Sequence, residues 1–421
     1  MSEKPASGMS RRNFAKAGAA AGFAVIAAKS GVAQSSGETL KVGLIGCGGR
    51  GTGAAVDNLS GNKNMKLVAL ADIFQDRLDN ARKTLSNHNN PQVKSQTDVA
   101  DEMCFVGPDA YLELLKTDVD IVIHATTPYC RPQHIEAAVK AGKHIFTEKP
   151  VAVDPVGVRQ FIAAAKLAEE KKLCLVTGTQ RRHQKSYVDT VAKLRDGAIG
   201  EIITGRAYWC GTLPFAHPRK PEWSDLETRL RNWYAHCWVC GDNIVEQHIH
   251  NLDVINWVLG SPPAKVFASG GRAWKHLEDP ETYGDLWDHF SCDYEYPNGV
   301  HVLSMSRHWH GECKQDVSEH VVGTEGASTC RDMGQDDENP YVQEHITLVN
   351  AIRGDAPYIN EGVQCAESTL TAIMGRMSAY TGKEITWEEA MNSDLSIVPG
   401  SLDFGKAYPV GPVPVPGPAR A

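Results

Sequence analysis

Six residues, Gly46-Cys47-Gly48-Gly49-Arg50-Gly51, follow directly on the apolar run 40–45 and open the next stretch, which reads as a helix. Glycines in the order G-x-G-x-x-G between a strand and a helix leave few folds open. The first permits a tight turn, the second lets main chain approach a pyrophosphate, and the third lets the helix pack closely on the strand. The first N–H groups of the helix, with its dipole, then hold the anion. This pattern places Gly46, Gly48, Gly49, Arg50 and Gly51 at a dinucleotide. Asp72 ends the next predicted strand. A carboxylate there accepts hydrogen bonds from ribose hydroxyls and repels a 2′-phosphate, which favours NAD over NADP. Arg77 is the nearest base that opposes this preference. A plain tight turn and a helix-capping aspartate would explain the same residues one at a time; their occurrence together argues for the nucleotide.

Predicted strands over 40–45, 65–71, 119–124 and 144–147 alternate with helices from 49, over 75–86, 109–116 and 134–140. Such alternation gives a parallel, doubly wound sheet, so residues 38–155 are expected to form an α/β Rossmann domain. A helix over 156–171, a strand over 174–178 and a helix over 187–194 follow. Beyond Gly200 the strands lengthen and alternate with polar residues, over 202–209, 264–269, 288–296 and 300–307. They predict an α+β domain over 156–405, with an open, mostly antiparallel sheet and helices on one face. A helix over 366–381 is expected to pack back on the first domain. Residues 406–421, rich in Pro, Gly and Val, read as an extended arm.

The first 33 residues differ in kind. Ser10-Arg11-Arg12-Asn13-Phe14-Ala15-Lys16 precedes an apolar run over 17–28, and Gly31-Val32-Ala33 offers a small-residue cleavage site. This order predicts a twin-arginine signal peptide and a periplasmic or other extracytoplasmic location; an Ala-rich arm is the alternative. The route carries folded proteins, so the cofactor would be taken up before export and held tightly. An odd count of 11 cysteines scattered along the chain is no disulfide framework. With five basic side chains against Glu3 in the leader, the rest of the chain carries the acidic balance behind the net charge of -8. It has no electrostatic reason to bind nucleic acid or anionic lipid. No segment approaches the ~20 apolar residues of a membrane span.

Thr126-Thr127-Pro128, then His134, Ala141-Gly142-Lys143-His144 and Glu148-Lys149-Pro150 make a second pattern. In order and spacing they resemble the Gfo/Idh/MocA family, that of glucose–fructose oxidoreductase and inositol 2-dehydrogenase. The likeness continues through 241–260 and Gly382-Lys383-Glu384-Ile385-Thr386-Trp387. The resemblance implies a Rossmann domain followed by an open-sheet domain, and hydride transfer at a hydroxyl carbon of a sugar, sugar acid or cyclitol. It implies Lys149 between nicotinamide and substrate, Glu148 near the nicotinamide ribose, and Thr126, Thr127, Pro128 and His134 on the nicotinamide side. It also implies a homo-oligomer, dimer or tetramer. Independently, a lysine at a strand end followed by proline sits at the carboxyl edge of the sheet, where ligands bind.

Glu246-Gln247-His248-Ile249-His250-Asn251-Leu252-Asp253 is the other dense cluster. Glu246 and His250, four apart, are expected on one helix face with Asp253 near it. A carboxylate beside an imidazole raises its proton affinity and orients it, as a general base for an alcohol requires. The family carries D-x-x-x-H here, with Glu246 in place of the acid. His248 points away and reads as a core histidine. Arg182 (or Arg181) and Tyr187 are candidate substrate contacts, and Trp209, Trp233, Tyr234, Trp238, His308 and Trp309 add aromatic or polar surface. Cys237-Trp238-Val239-Cys240 supplies two of the four ligands a zinc needs, and no metal is expected. Two other functions remain open: a redox-neutral, NAD-dependent glycosidase of the same fold, and a non-catalytic sugar or nucleotide sensor. The intact Glu148-Lys149-Pro150 favours the dehydrogenase over the first, and the presence of Lys149 and His250 speaks against the second.

Overall fold

The structure, a computed structural model, describes residues 37–273 and 279–417. The export leader expected over 1–33 lies outside the described residues. The first sheet is parallel throughout, built from β1 (Leu40–Ile45), β2 (Met65–Asp72), β3 (Cys104–Val106), β4 (Ile121–His124), β5 (His144–Thr147) and β6 (Leu175–Thr177) in the order β3-β2-β1-β4-β5-β6. β1 is central: Leu40, Val42, Leu44 and Ile45 are buried, as a strand covered on both faces requires. The strand order reverses between β1 and β4, and at that switch point the carboxyl ends open a crevice. The boundary expected near 155 falls before β6, so the sheet takes in a further helix and strand.

The second sheet contains β7 (Ile202–Gly211), β8 (Lys265–Gly271), β9 (His289–Glu295), β10 (His301–His308), β11 (Asp316–Gly323), β12 (Ala327–Ser328) and β13 (Ile385–Thr386), in the order β12-β11-β7-β10-β9-β8-β13. Its pairs are antiparallel except β7 with β10. In β9, Phe290, Cys292 and Tyr294 are buried while Ser291 and Asp293 are exposed, the period-two alternation of a sheet with one covered face.

Five helices matter to the site: α1 (Gly49–Gly61), α2 (Pro155–Glu170), α3 (Ile249–Leu259), α4 (Pro340–Arg353) and α5 (Gly362–Thr381). α5, expected to lean on the first domain, packs on α2 and also on β8 and α3, so it ties both sheets together. α4 was not anticipated. It starts with Asn339 accepting from the Tyr341 N–H at 3.1 Å and Pro340 at its first position, ends at left-handed Gly354, and packs on α1. β11 also went unpredicted.

From Ser393 to Gly417 the chain has neither helix nor strand. It is nonetheless anchored: the Ile397 N–H donates to Asp154 at 2.8 Å, and the Tyr408 carbonyl accepts from Arg229 Nε at 2.9 Å. Among the described residues no helix is long and apolar enough to cross a membrane.

Candidate active site

A cleft of about 890 Å³ lies at the carboxyl ends of β1, β2, β4 and β5 and is bordered on its other side by residues of the second domain, Trp209 and His250 among them. The glycine turn forms one wall. Gly46 has φ +94, and a Cβ on it would fall 2.7 Å from the main chain at Ala125. A Cβ on Gly51 would fall 1.8 Å from the Gly46 carbonyl oxygen, so close helix–strand packing demands glycine. Gly48 and Gly49 differ: their Cβ atoms would meet nothing within 4 Å. They border open cleft at the start of α1, whose first turn has no acidic residue and no side-chain cap. Open space beside uncapped N–H groups fits a pyrophosphate. Gly48→Ala is therefore expected to leave the apo protein's melting temperature unchanged but weaken NAD binding about 30-fold, the equivalent of ~2 kcal/mol. Unaltered affinity in a calorimetric titration would remove the turn from the cofactor site.

Asp72 lines the same cleft. Its oxygens accept from the N–H groups of Cys47 (2.6 Å) and Phe74 (2.8 Å), so it also braces the turn. Each carboxylate oxygen keeps a lone pair for a ribose hydroxyl. Burial pushes its pKa up, against the pull of those two N–H donors. Arg77 lines the cleft as well.

Arg50 is more than a spacer between glycines. Its guanidinium reaches Glu148, Asp57 (3.1 Å) and Glu344 (3.2 Å), and lies 4.9 Å from the centre of the Tyr341 ring. Gly178 makes room for this cluster, since a Cβ there would fall 2.3 Å from Glu148 Oε2. Thr126, Thr127, His134 and Glu148 line the cleft, whereas Pro128 is buried at the start of a single 3₁₀ turn and does not. His134 stacks on Tyr111 with ring centres 3.6 Å apart, and its Nδ1 lies 3.1 Å from His124 Nε2.

Lys149 sits at the end of β5, and its ammonium binds the Glu246 carbonyl (2.6 Å) and carboxylate (3.2 Å). The expected Glu246–His250 pair on one helical face is not what forms. A short helix, Asn243–Glu246, stops there, and α3 begins at Ile249. The break turns Glu246 toward Lys149, its ion-pair partner. His250 instead lies beside Trp209, ring centres 5.9 Å apart and 24° from parallel. Burial, then the charges of Lys149, Arg181 and Arg50, push its pKa well below the usual value and keep the imidazole neutral. Burial pushes Glu246 up, with Lys149 and Arg131 opposing.

Two expected substrate contacts are elsewhere. Arg182 makes a forked pair with Asp253 (2.8 to 3.1 Å) beneath Trp257, which also removes Asp253 from the His250 face. Tyr187 is buried and donates to Glu319 at 3.0 Å. Neither lines the cleft; Arg181, paired with Glu319, does. His248 is a core residue, 2.7 Å from Ser304 Oγ. Burial pushes Cys237 up to about 12, and among the described residues no group of acidic, His or Cys side chains is placed to hold a metal. Tyr341, Phe215 and the stretch from Val398 to Leu402 also line the cleft, and no motif marks them in the sequence.

A phosphate-cradling parallel sheet, joined to an open-sheet domain whose helices bring Glu246 and His250 to the crevice, defines a two-domain protein with a dinucleotide-binding cleft. The chain belongs to the Gfo/Idh/MocA family: residues 40–179 match the model described as oxidoreductase family, NAD-binding Rossmann fold, and residues 188–329 match the GFO/IDH/MocA C-terminal domain. Among similar proteins, an inositol 2-dehydrogenase/D-chiro-inositol 3-dehydrogenase of Halalkalibacterium halodurans is 30% identical over 250 residues, 58% of this chain and 60% of that one. A glycosyl hydrolase family 109 protein of Shewanella amazonensis is 25% identical over 54% of this chain and 50% of its own. The match thus spans about 60% of the length of the inositol dehydrogenases. Scyllo-inositol dehydrogenase of Lactobacillus casei, solved with NAD(H) and scyllo-inositol, shares the fold at TM-score 0.61 and 20% identity, over 83% of this chain and 99% of that one.

Proposed function

We propose that this protein is an NAD-dependent oxidoreductase that oxidises, or in reverse reduces, a hydroxyl-bearing carbon of a sugar, sugar acid or cyclitol. The observation that carries the reading is that Lys149, just past β5 of the first sheet, and His250, on helix α3 of the second domain, line one cleft with the glycine cradle and Asp72. The inositol dehydrogenases among its relatives support a polyol substrate. Gly46, Gly48, Gly49, Gly51 and Asp72 would hold the dinucleotide, and Thr126, Thr127, His134 and Glu148 its nicotinamide half. Bound NAD supplies the hydride acceptor. An ammonium has three N–H donors; Lys149 spends two on Glu246 and has one for the substrate hydroxyl. Neutral His250 takes that hydroxyl's proton as the alcohol becomes a carbonyl. Glu246 acts by holding Lys149 rather than by orienting His250.

Purified protein, NAD and a panel of sugars, sugar acids, inositols and glycosides should yield NADH with at least one polyol. Release of an aglycone with no net NADH would favour instead the transient oxidation of a glycosidase, a reading the family 109 relative keeps open. Export through the twin-arginine route goes with this proposal, supported by Arg11-Arg12, the apolar run and the small residues that follow. A reporter fused to residues 1–36 should leave the cytoplasm only while both arginines are intact. A homo-oligomer pairing through the open sheet face, where Phe267 and Leu303 stand exposed, completes the reading; light scattering measures it.

A further inference from the structure

The cleft holds cations, yet at its catalytic end each is already bound. Arg50 touches three carboxylates. Lys149 pairs with Glu246 and Arg181 with Glu319. Arg131, buried beside them, gives its guanidinium to the carbonyls of Thr126 and Pro150, and the carboxylates of Glu246 and Glu148 oppose its charge. An entering carboxylate or phosphate would find no surplus positive charge there, and a buried charge without a partner is costly.

Two further observations describe what does fit. Glu246 Oε2 is shut off from water and has no hydrogen-bond partner among the described residues. A buried carboxylate oxygen that no donor satisfies repels an entering anion. Trp209, on the covered face of β7, lines the cleft and stands nearly parallel to the His250 ring. A half-buried indole is a flat apolar surface with a polar edge, and it matches the face of a sugar ring on which C–H bonds project.

We propose that the substrate is an uncharged ring polyol, a pyranoside rather than a sugar acid or sugar phosphate, whose C–H face lies against Trp209. The inference rests on the oxidoreductase reading but concerns charge and shape alone. Trp209 is a binding residue that fixes the ring beside His250, and a hydroxyl of that ring reaches Lys149.

The test uses the full chain with bound NAD and a set of epimeric methyl pyranosides, each paired with the uronide of the same ring. Binding is followed by calorimetry and turnover by NADH. At least one neutral member should bind, with kcat/KM exceeding that of its uronide about 100-fold. Trp209→Ala should raise KM about tenfold with kcat changed far less, and Trp209→Phe should recover most of the loss. Binding of neutral rings with no redox or hydrolytic product from any of them would overturn the oxidoreductase reading and leave this inference standing. A uronide or amino sugar preferred over its neutral partner, no neutral ring bound, or an unaltered KM in a folded Trp209→Ala protein would each overturn the inference.

Discussion

Replacing Lys149 with methionine is expected to lower turnover by about 10²–10³-fold, the usual cost of losing a donor aimed at developing negative charge, while NAD still binds. Methionine keeps the length and apolar stem of lysine but removes the charge that stabilises a developing alkoxide. The substitution has a second consequence, because Glu246 then loses its ion-pair partner while only 5% exposed. Its carboxyl, already raised by burial, would take up a proton, and some stability would be lost. The double variant Lys149→Met/Glu246→Leu separates the effects: melting temperature should recover while turnover stays low. A Lys149→Met protein that binds NAD and oxidises substrate at the parental rate would remove Lys149 from the chemistry and revive a sensor function.

Acid should unfold this protein early. His124, His236, His248, His250 and His345 are buried, and burial pushes the pKa of each down, that of His236 and His248 to about 3. In the unfolded chain each protonates near its ordinary value of ~6.5. Below that pH the unfolded state binds more protons than the folded one, so stability falls as pH falls. Stability is fully present above ~6.5 and is lost as pH drops toward the folded values. Each histidine costs about 1 kcal/mol between pH ~6.5 and ~5.5. Asp242, raised to about 6, and Glu246 and Glu344, also raised by burial, act in the opposite sense. They bind protons in the folded state first and return part of the loss. The net should be about 3 kcal/mol, visible as a drop of several degrees in melting temperature. A melting temperature unchanged over this range would show that these imidazoles gain protons without unfolding.

Local features of the chain were readable and long-range pairings were not. The glycine turn, Asp72 and Lys149 each follow a buried strand whose apolar run shows in the sequence, and all three line the cleft. The break between Glu246 and Ile249 was hidden, because nothing in Gln247-His248 interrupts a helical period. Without that break, Glu246 appeared to face His250 and Asp253 appeared free. Arg182 carried a basic charge near a predicted strand end, but its partner Asp253 is 71 residues away. No periodicity encodes such a pairing. Glu344 was invisible for the same reason: its contact with Arg50 joins positions 294 apart.

The stretch from Val398 to Phe404 lines the cleft, and Leu402 and Phe404 pack with Ile73 and Phe74, immediately after Asp72. It is tied down on one side through Ile397 and Asp154, and on the other through Tyr408, Arg229 and Asp225. A dinucleotide threaded beneath this strap would depart only when both moorings slip. Under the proposed function a coenzyme held there would stay resident, visited in turn by a donor and an acceptor, and reciprocal rate plots are expected to run parallel instead of converging.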